Sequence, residues 1–202
     1  MALLFAKNNS LSAVTALPTA ISGGALNLIS TQTASSSSSI DFTSGIDSTY
    51  KEYIFRFYDI HPSATDINGL TFQGSTDGGS NYNTTITSTY FRSTHDESGS
   101  NGALAYQGSQ DQGNGTSFQN IFQNIGTDND QSGAGILRLF DPSSTTFIKH
   151  FIARTNNAHQ SDKTRDVFTA GYFNTTSAIN AIQFKMSSGN IDAGTIKMYG
   201  VT

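Results

Sequence analysis

Residues 70–91 read LTFQGSTDGGSNYNTTITSTYF: two runs of alternating apolar and polar residues around a loop containing Asp77-Gly78-Gly79. Asp-Gly and Gly-Gly supply the positive backbone angles that tight turns require, and alternation on both sides turns one set of side chains inward. The stretch therefore predicts a β-hairpin in an exposed sheet, not a catalytic loop.

The composition points the same way. A chain of 202 residues is one domain of ordinary size with room for a core. Its 27 Ser and 25 Thr suit strands and turns, and only 13% of residues are charged. With no Trp, the 14 Phe and 8 Tyr must supply the large apolar area of the core. A net charge of −4 and eleven scattered basic residues argue against a phosphate-binding surface, so no nucleic-acid partner is expected. With no Cys there is no disulfide, thiolate nucleophile or thiolate metal site. No apolar run reaches membrane-spanning length, and Lys7 interrupts the apolar start before a signal-peptide core is complete, so no membrane partner is expected.

Organisation changes once, at the five serines Ser35–Ser39. Residues 1–34 read as an N-terminal arm and 35–202 as the folded domain, with the serine run a linker leading into a strand at Ile40 and Phe42. Leu3, Leu4, Phe5, Leu11 and Val14 form an apolar set on this polar arm, suited to gripping neighbouring subunits; a frayed terminus is the plainer alternative.

Residues 50–60, YKEYIFRFYDI, place Tyr53, Phe55 and Phe57 on one face and Ile54, Arg56, Tyr58 and Ile60 on the other. A strand apolar on both sides belongs in the middle of a sandwich or at a subunit contact. Further strands are expected at 134–140, 146–154, 166–173, 179–186 and 194–201, with weaker ones at 26–33, 103–107 and 117–122, for a total of eight to eleven. No long helical period appears. The expected architecture is all-β: an antiparallel β-sandwich of jelly-roll type with an extended N-terminal arm. Residues 95–131 read as a long polar loop anchored by Phe118 and Phe122.

Candidate chemistry is thin. The chain has two glutamates, Glu52 and Glu97, with no spacing that sets paired carboxylates for sugar hydrolysis. None of the four histidines, His61, His95, His150 and His159, sits in a nucleophile pattern. His95-Asp96-Glu97 and Thr127–Asp130 offer oxygen ligands for a structural calcium, but neither matches an EF-hand loop, adjacent acidic loop residues are usually just solvated, and Asx turns account for Asp128 to Asp130. No catalytic residue, cofactor or metal is therefore assigned.

Ser75–Tyr82 resembles the Asp-box, S-x-D-x-G-x-x-aromatic, a turn signature of sialidase-type propellers and other β proteins. Its Asp caps the turn's own backbone. A propeller repeats the motif, and this chain carries it once.

Several phrases resemble segments of bacteriophage virion proteins over most of the chain, from about Gln32 to Thr202: Thr43–Tyr50, Phe72–Tyr82, Asn124–Gln131, Gly171–Ser177 and Ser188–Gly200. The resemblance implies a structural protein of the virion surface, a head-decoration subunit or tail-fibre domain, commonly jelly-roll-like and often trimeric, with other virion proteins as partners. It brings no catalytic residue. No fibre shaft of heptads or β-helical repeats is visible, so an accessory subunit clamped to a capsid, collar or tail by its arm is expected. The second reading is a receptor-binding module for host-surface glycans, with Tyr82, Tyr90 and Tyr106 as candidate aromatic platforms.

Overall fold

A computed structural model describes residues 25–64 and 69–202. Among them are twelve strands and no helix: β1 (Leu26–Ser37), β2 (Ile40–Phe42), β3 (Glu52–Pro62), β4 (Leu70–Ser75), β5 (Ile86–Asp96), β6 (Gly102–Tyr106), β7 (Gln119–Asn120), β8 (Gly133–Phe140), β9 (Lys149–His159), β10 (Lys163–Phe173), β11 (Ala181–Met186) and β12 (Ile191–Val201). All pairings are antiparallel. They build an eight-stranded sheet in the order β1-β12-β3-β8-β9-β10-β5-β6 and a four-stranded sheet in the order β2-β11-β4-β7. The all-β class is as expected, with one more strand than the upper end of the expected range.

The two sheets face each other across a core dominated by phenylalanine. Phe184 of the small sheet meets Phe55 and Phe57 of the large one edge-on, each with ring centroids 5.3 Å apart, and Phe42 meets Phe55 at the same distance. Farther along, Phe72 packs on Phe151 and Phe173 at 5.0 and 6.0 Å. Edge-on contact sets the positive rim of one ring against the negative face of the next, adding about 0.5–1.5 kcal/mol per pair to the burial itself.

The hairpin expected over residues 70–91 does not form, because β4 and β5 belong to different sheets. β4 is buried along its whole length and pairs with β11 and β7, whereas β5 pairs with β10 and β6. The Asp77 turn therefore begins a crossing between layers. Both hairpin and crossing need a tight reversal and flanking alternation, and the residues carry no signal that separates them. The turn itself has the Asp-box form: Asp77 accepts from Asn81 N at 2.9 Å, Asn81 Nδ2 at 2.7 Å and Ser75 Oγ at 2.6 Å, and these donors hold its carboxyl at about 2.

β3 departs from simple alternation at its end. Tyr53, Phe55 and Phe57 face the core as expected, but Ile60, expected on the outer face, is fully buried with them. A bulge between Phe57 and Ile60, with Asp59 at φ 51°, adds the residue that reverses the parity.

The expected boundary between arm and domain after residue 34 falls inside β1, which continues to Ser37 in register with β12. Ser35–Ser37 thus belong to the sheet, as Ser and Thr readily do on an edge strand. Leu3, Leu4, Phe5, Leu11 and Val14 lie outside the described residues. The long segment 95–131 is ordered by packing on the sheets: Phe122 is fully buried, Phe118 sits under Lys185 with Nζ 4.0 Å from the ring centroid, and buried Gln73 donates to the carbonyls of Thr116 and Ser117.

Candidate interaction surface

The outer face of the large sheet carries one continuous row of side chains. Strand register places Thr31, Lys197, Arg56, Ile136, Arg154, Phe168, Phe91 and Tyr106 side by side across all eight strands. Period-two alternation should put polar residues at these solvent-facing positions. Instead Phe91 and Phe168 stack with centroids 4.8 Å apart and planes 5° from parallel, and Arg154 lies over Phe168 at 4.9 Å. Arg154 also pairs with Asp166 at 3.0 Å, and that carboxylate raises its pKa.

At the β12–β3 end the row becomes cationic. Arg56 lies 5.2 Å from the Tyr199 ring and Lys197 lies 5.5 Å from Tyr58. Burial and the neighbouring Tyr58 hydroxyl push the Tyr199 phenol up. Neither cation is among the three ion pairs formed by the described residues. Beside the aromatic stack, Ile152, His150 and Tyr172 line an open depression of about 410 Å³.

The three candidate platforms separate. Tyr106 is exposed at the β6 end of the row, its hydroxyl donating to Asp111. Tyr82 is half-buried; burial, then nearby Asp41, drive its pKa up, and Gly79 lies close to its hydroxyl. Tyr90 is fully buried and presents no face to a ligand, which corrects its expected place on the surface. On β5 Tyr90 points inward and its neighbour Phe91 outward, so the sequence offered the right dipeptide and the wrong parity. Phe168, Ile136 and Ile152 were also missed; their signal is an apolar residue in the polar phase of strands whose other phase is already apolar.

Behind this face the interior turns polar. Arg165 is buried, donating Nη1 to Asn124 Oδ1 at 2.8 Å and to the Gln123 carbonyl at 3.3 Å, and burial followed by nearby Arg92 lowers its pKa to about 10. His159 is buried beside it, held to about 4 by burial and then by Arg165, Lys163 and Arg92.

Another open groove, of about 460 Å³, brings together His95, Asp96, Glu97 and Lys163. Desolvation raises the Asp96 carboxyl, but donation from the Asn101 and Ser100 N–H groups and the Ser98 and Ser100 hydroxyls outweighs it and leaves the pKa at about 2. Asp96 thus caps its own turn. Among the described residues, no three of His, Asp or Glu converge as metal ligands. Comparison of the chain with protein-family models, curated proteins and solved structures finds no match.

Proposed function

We propose that the chain is a non-enzymatic structural protein of a bacteriophage virion surface. In this reading it is an accessory subunit that decorates or cements the capsid, collar or tail, with the arm gripping neighbouring virion proteins and the outer sheet face seated against them. The observation that carries the proposal is the row from Lys197 to Tyr106, a broad face whose solvent-side positions hold stacked aromatics and cations in place of small polar residues. Exposed aromatic and Arg side chains are the groups that anchor protein contacts.

The jelly-roll reading is part of the same proposal and rests on strand order. With the β5–β6 and β9–β10 hairpins set aside, the remaining eight strands pair first with last and so inward: β1 with β12, β2 with β11, β3 with β8 and β4 with β7. That is the pattern of a long hairpin rolled into two layers, an architecture used by viral capsid subunits, lectins and cupins. Fold analogy alone does not assign a function; it adds weight to the phage-like phrases.

A second reading, a receptor-binding module for host glycans, is favoured by exposed Tyr106 beside the Phe91–Phe168 stack, since a flat ring can take a sugar face. Three measurements separate the readings. Under the first, deleting residues 1–24 abolishes incorporation into particles, imaging of intact particles places the chain on their surface, and a glycan array stays blank. Saccharide binding lost on Tyr106→Ala, with incorporation unaffected by the deletion, would establish the second.

A further inference from the structure

We propose that β1 is the contact strand of a two-fold dimer, pairing antiparallel with β1 of a second copy of this chain along the edge that no strand of the described residues covers. The proposal goes beyond the virion reading and does not depend on it. A sheet edge presents unpaired N–H and C=O groups, and proteins that remain monomeric blunt it with charge, proline, bulges or shortness. Of the four sheet edges formed by the described residues, β2 and β7 span three and two residues. β6 has five residues and begins at Gly102. β1 has twelve, LNLISTQTASSS, with no charged residue and no proline. Its irregularities sit at its ends, a register shift between Leu28 and Ser30 and a positive φ at Ser36, leaving Ser30 to Ser35 in unbroken register with β12.

The sequence of that window selects the occupant. Antiparallel self-pairing about Gln32 sets Thr31 against Thr33 of the second copy, Gln32 against Gln32, and Ser30 against Ala34. Every pair is neutral, and threonines directly opposite are among the favourable cross-strand partners. A strand that carries Thr31 and Thr33 symmetrically about Gln32, with only uncharged neighbours, is its own complement, so a chain of net charge −4 meets its copy where it carries no charge. Thr31, Gln32 and Thr33 are exposed, and Leu28, 57% exposed, flanks the window as an apolar contact. A two-fold contact uses both β1 edges at once and closes the assembly.

The test is a charge swap in the full chain. Thr31→Lys/Thr33→Lys and Thr31→Glu/Thr33→Glu each place like charges opposite one another across the proposed axis, on side chains that point to solvent. Analytical ultracentrifugation at tens of micromolar is expected to give a dimer for the parent, monomers for each double variant alone, and a dimer again for their equimolar mixture. Amide exchange over Ser30–Ser35 is expected to slow about tenfold or more in the parent relative to either variant. A monomeric parent, a trimeric parent, or double variants that keep the parent's mass would each overturn the proposal. A far-ultraviolet spectrum matching the parent's verifies that the variants are folded, and a chain lacking residues 1–24 that still dimerises separates this contact from any made by the arm.

Discussion

Arg165 donates to the amide oxygen of Asn124 at 2.8 Å, so a buried cation is held by a neutral side chain where a carboxylate would be the stronger partner. Moving a guanidinium out of water costs several kcal/mol, and amide acceptors return only part of it. Arg165→Met is therefore expected to leave the urea midpoint unchanged or raise it. Asn124→Ala leaves the cation less satisfied and removes the residue type that tolerates its φ of 54°, so a loss of about 2 kcal/mol is expected. A large loss for Arg165→Met would show that the cation is a net source of stability.

His159 makes acid stability the second prediction. Its Nδ1 accepts from Ser161 N at 3.0 Å, and burial with three nearby cations holds its pKa at about 4. The unfolded chain binds this proton near pH 6.5, where the folded one still refuses it. Stability is thus fully present above about pH 6.5 and is lost as pH falls toward 4, by on the order of 3 kcal/mol. His159→Gln should flatten the slope of stability against pH in that window. Carboxylates such as Asp77, held at about 2, contribute stability that is lost only at lower pH, so the two ranges separate in one titration.

Two tyrosines fully buried in the fold should respond oppositely to loss of a hydroxyl. Tyr53 Oη donates to the Asp47 carbonyl at 3.0 Å and accepts from Asp47 N at 2.9 Å, so Tyr53→Phe is expected to cost about 1–2 kcal/mol. The Tyr90 hydroxyl is buried with no hydrogen-bond partner among the described residues, so Tyr90→Phe is expected to be neutral or stabilising. Equal losses in thermal melts would show that Tyr90 has a partner.

The Asp77 turn gives a matched glycine pair. Gly78 and Gly79 both have positive φ, 73° and 92°, but a Cβ on Gly78 meets nothing within 4 Å, whereas one on Gly79 would come within 2.8 Å of the Tyr82 hydroxyl and 2.9 Å of Thr43 Cγ2. Gly78→Ala should therefore cost about 1 kcal/mol for the backbone alone. Gly79→Ala should cost clearly more, measured by equilibrium unfolding of both variants side by side.

What could be read from residues alone follows from how local each signal is. Alternation in 146–154 and 166–173 identified β9 and β10, because strand formation depends on neighbours in sequence, but their limits moved: β9 runs on through Asn156 and Asn157 to His159, and β10 begins at Lys163 and contains Gly171. The sheet that received each strand did not follow: β4 and β5 look like hairpin arms, yet β4 pairs with β11, Ser75 opposite Ala181, and β5 with β10, Phe91 opposite Phe168. Parity failed where the backbone gains a residue, as at Asp59, which buries Ile60. The same parity decided between Tyr90 and Phe91 for the surface, and only the pairing with β10 resolves it. Buried polar groups such as Arg165 left no trace, since an arginine reads as exposed until the strand around it is placed.

The long-range pairing of first and last strands also sets an order of events during folding. Consecutive strands β8, β9 and β10 pair with one another through short connections. Both sheets, by contrast, are completed across very long stretches: Gln183 reaches Asp41 over 142 residues and Thr195 reaches Thr33 over 162. Bringing such distant segments together sacrifices chain entropy before any contact rewards it. The β8–β10 meander can therefore organise early, while β1 and β2 wait as unpaired strands for β12 and β11. Refolding should accordingly fall at the slow end of the range for single domains, milliseconds to seconds, with the neutral edge of β1 exposed to other chains for most of that interval.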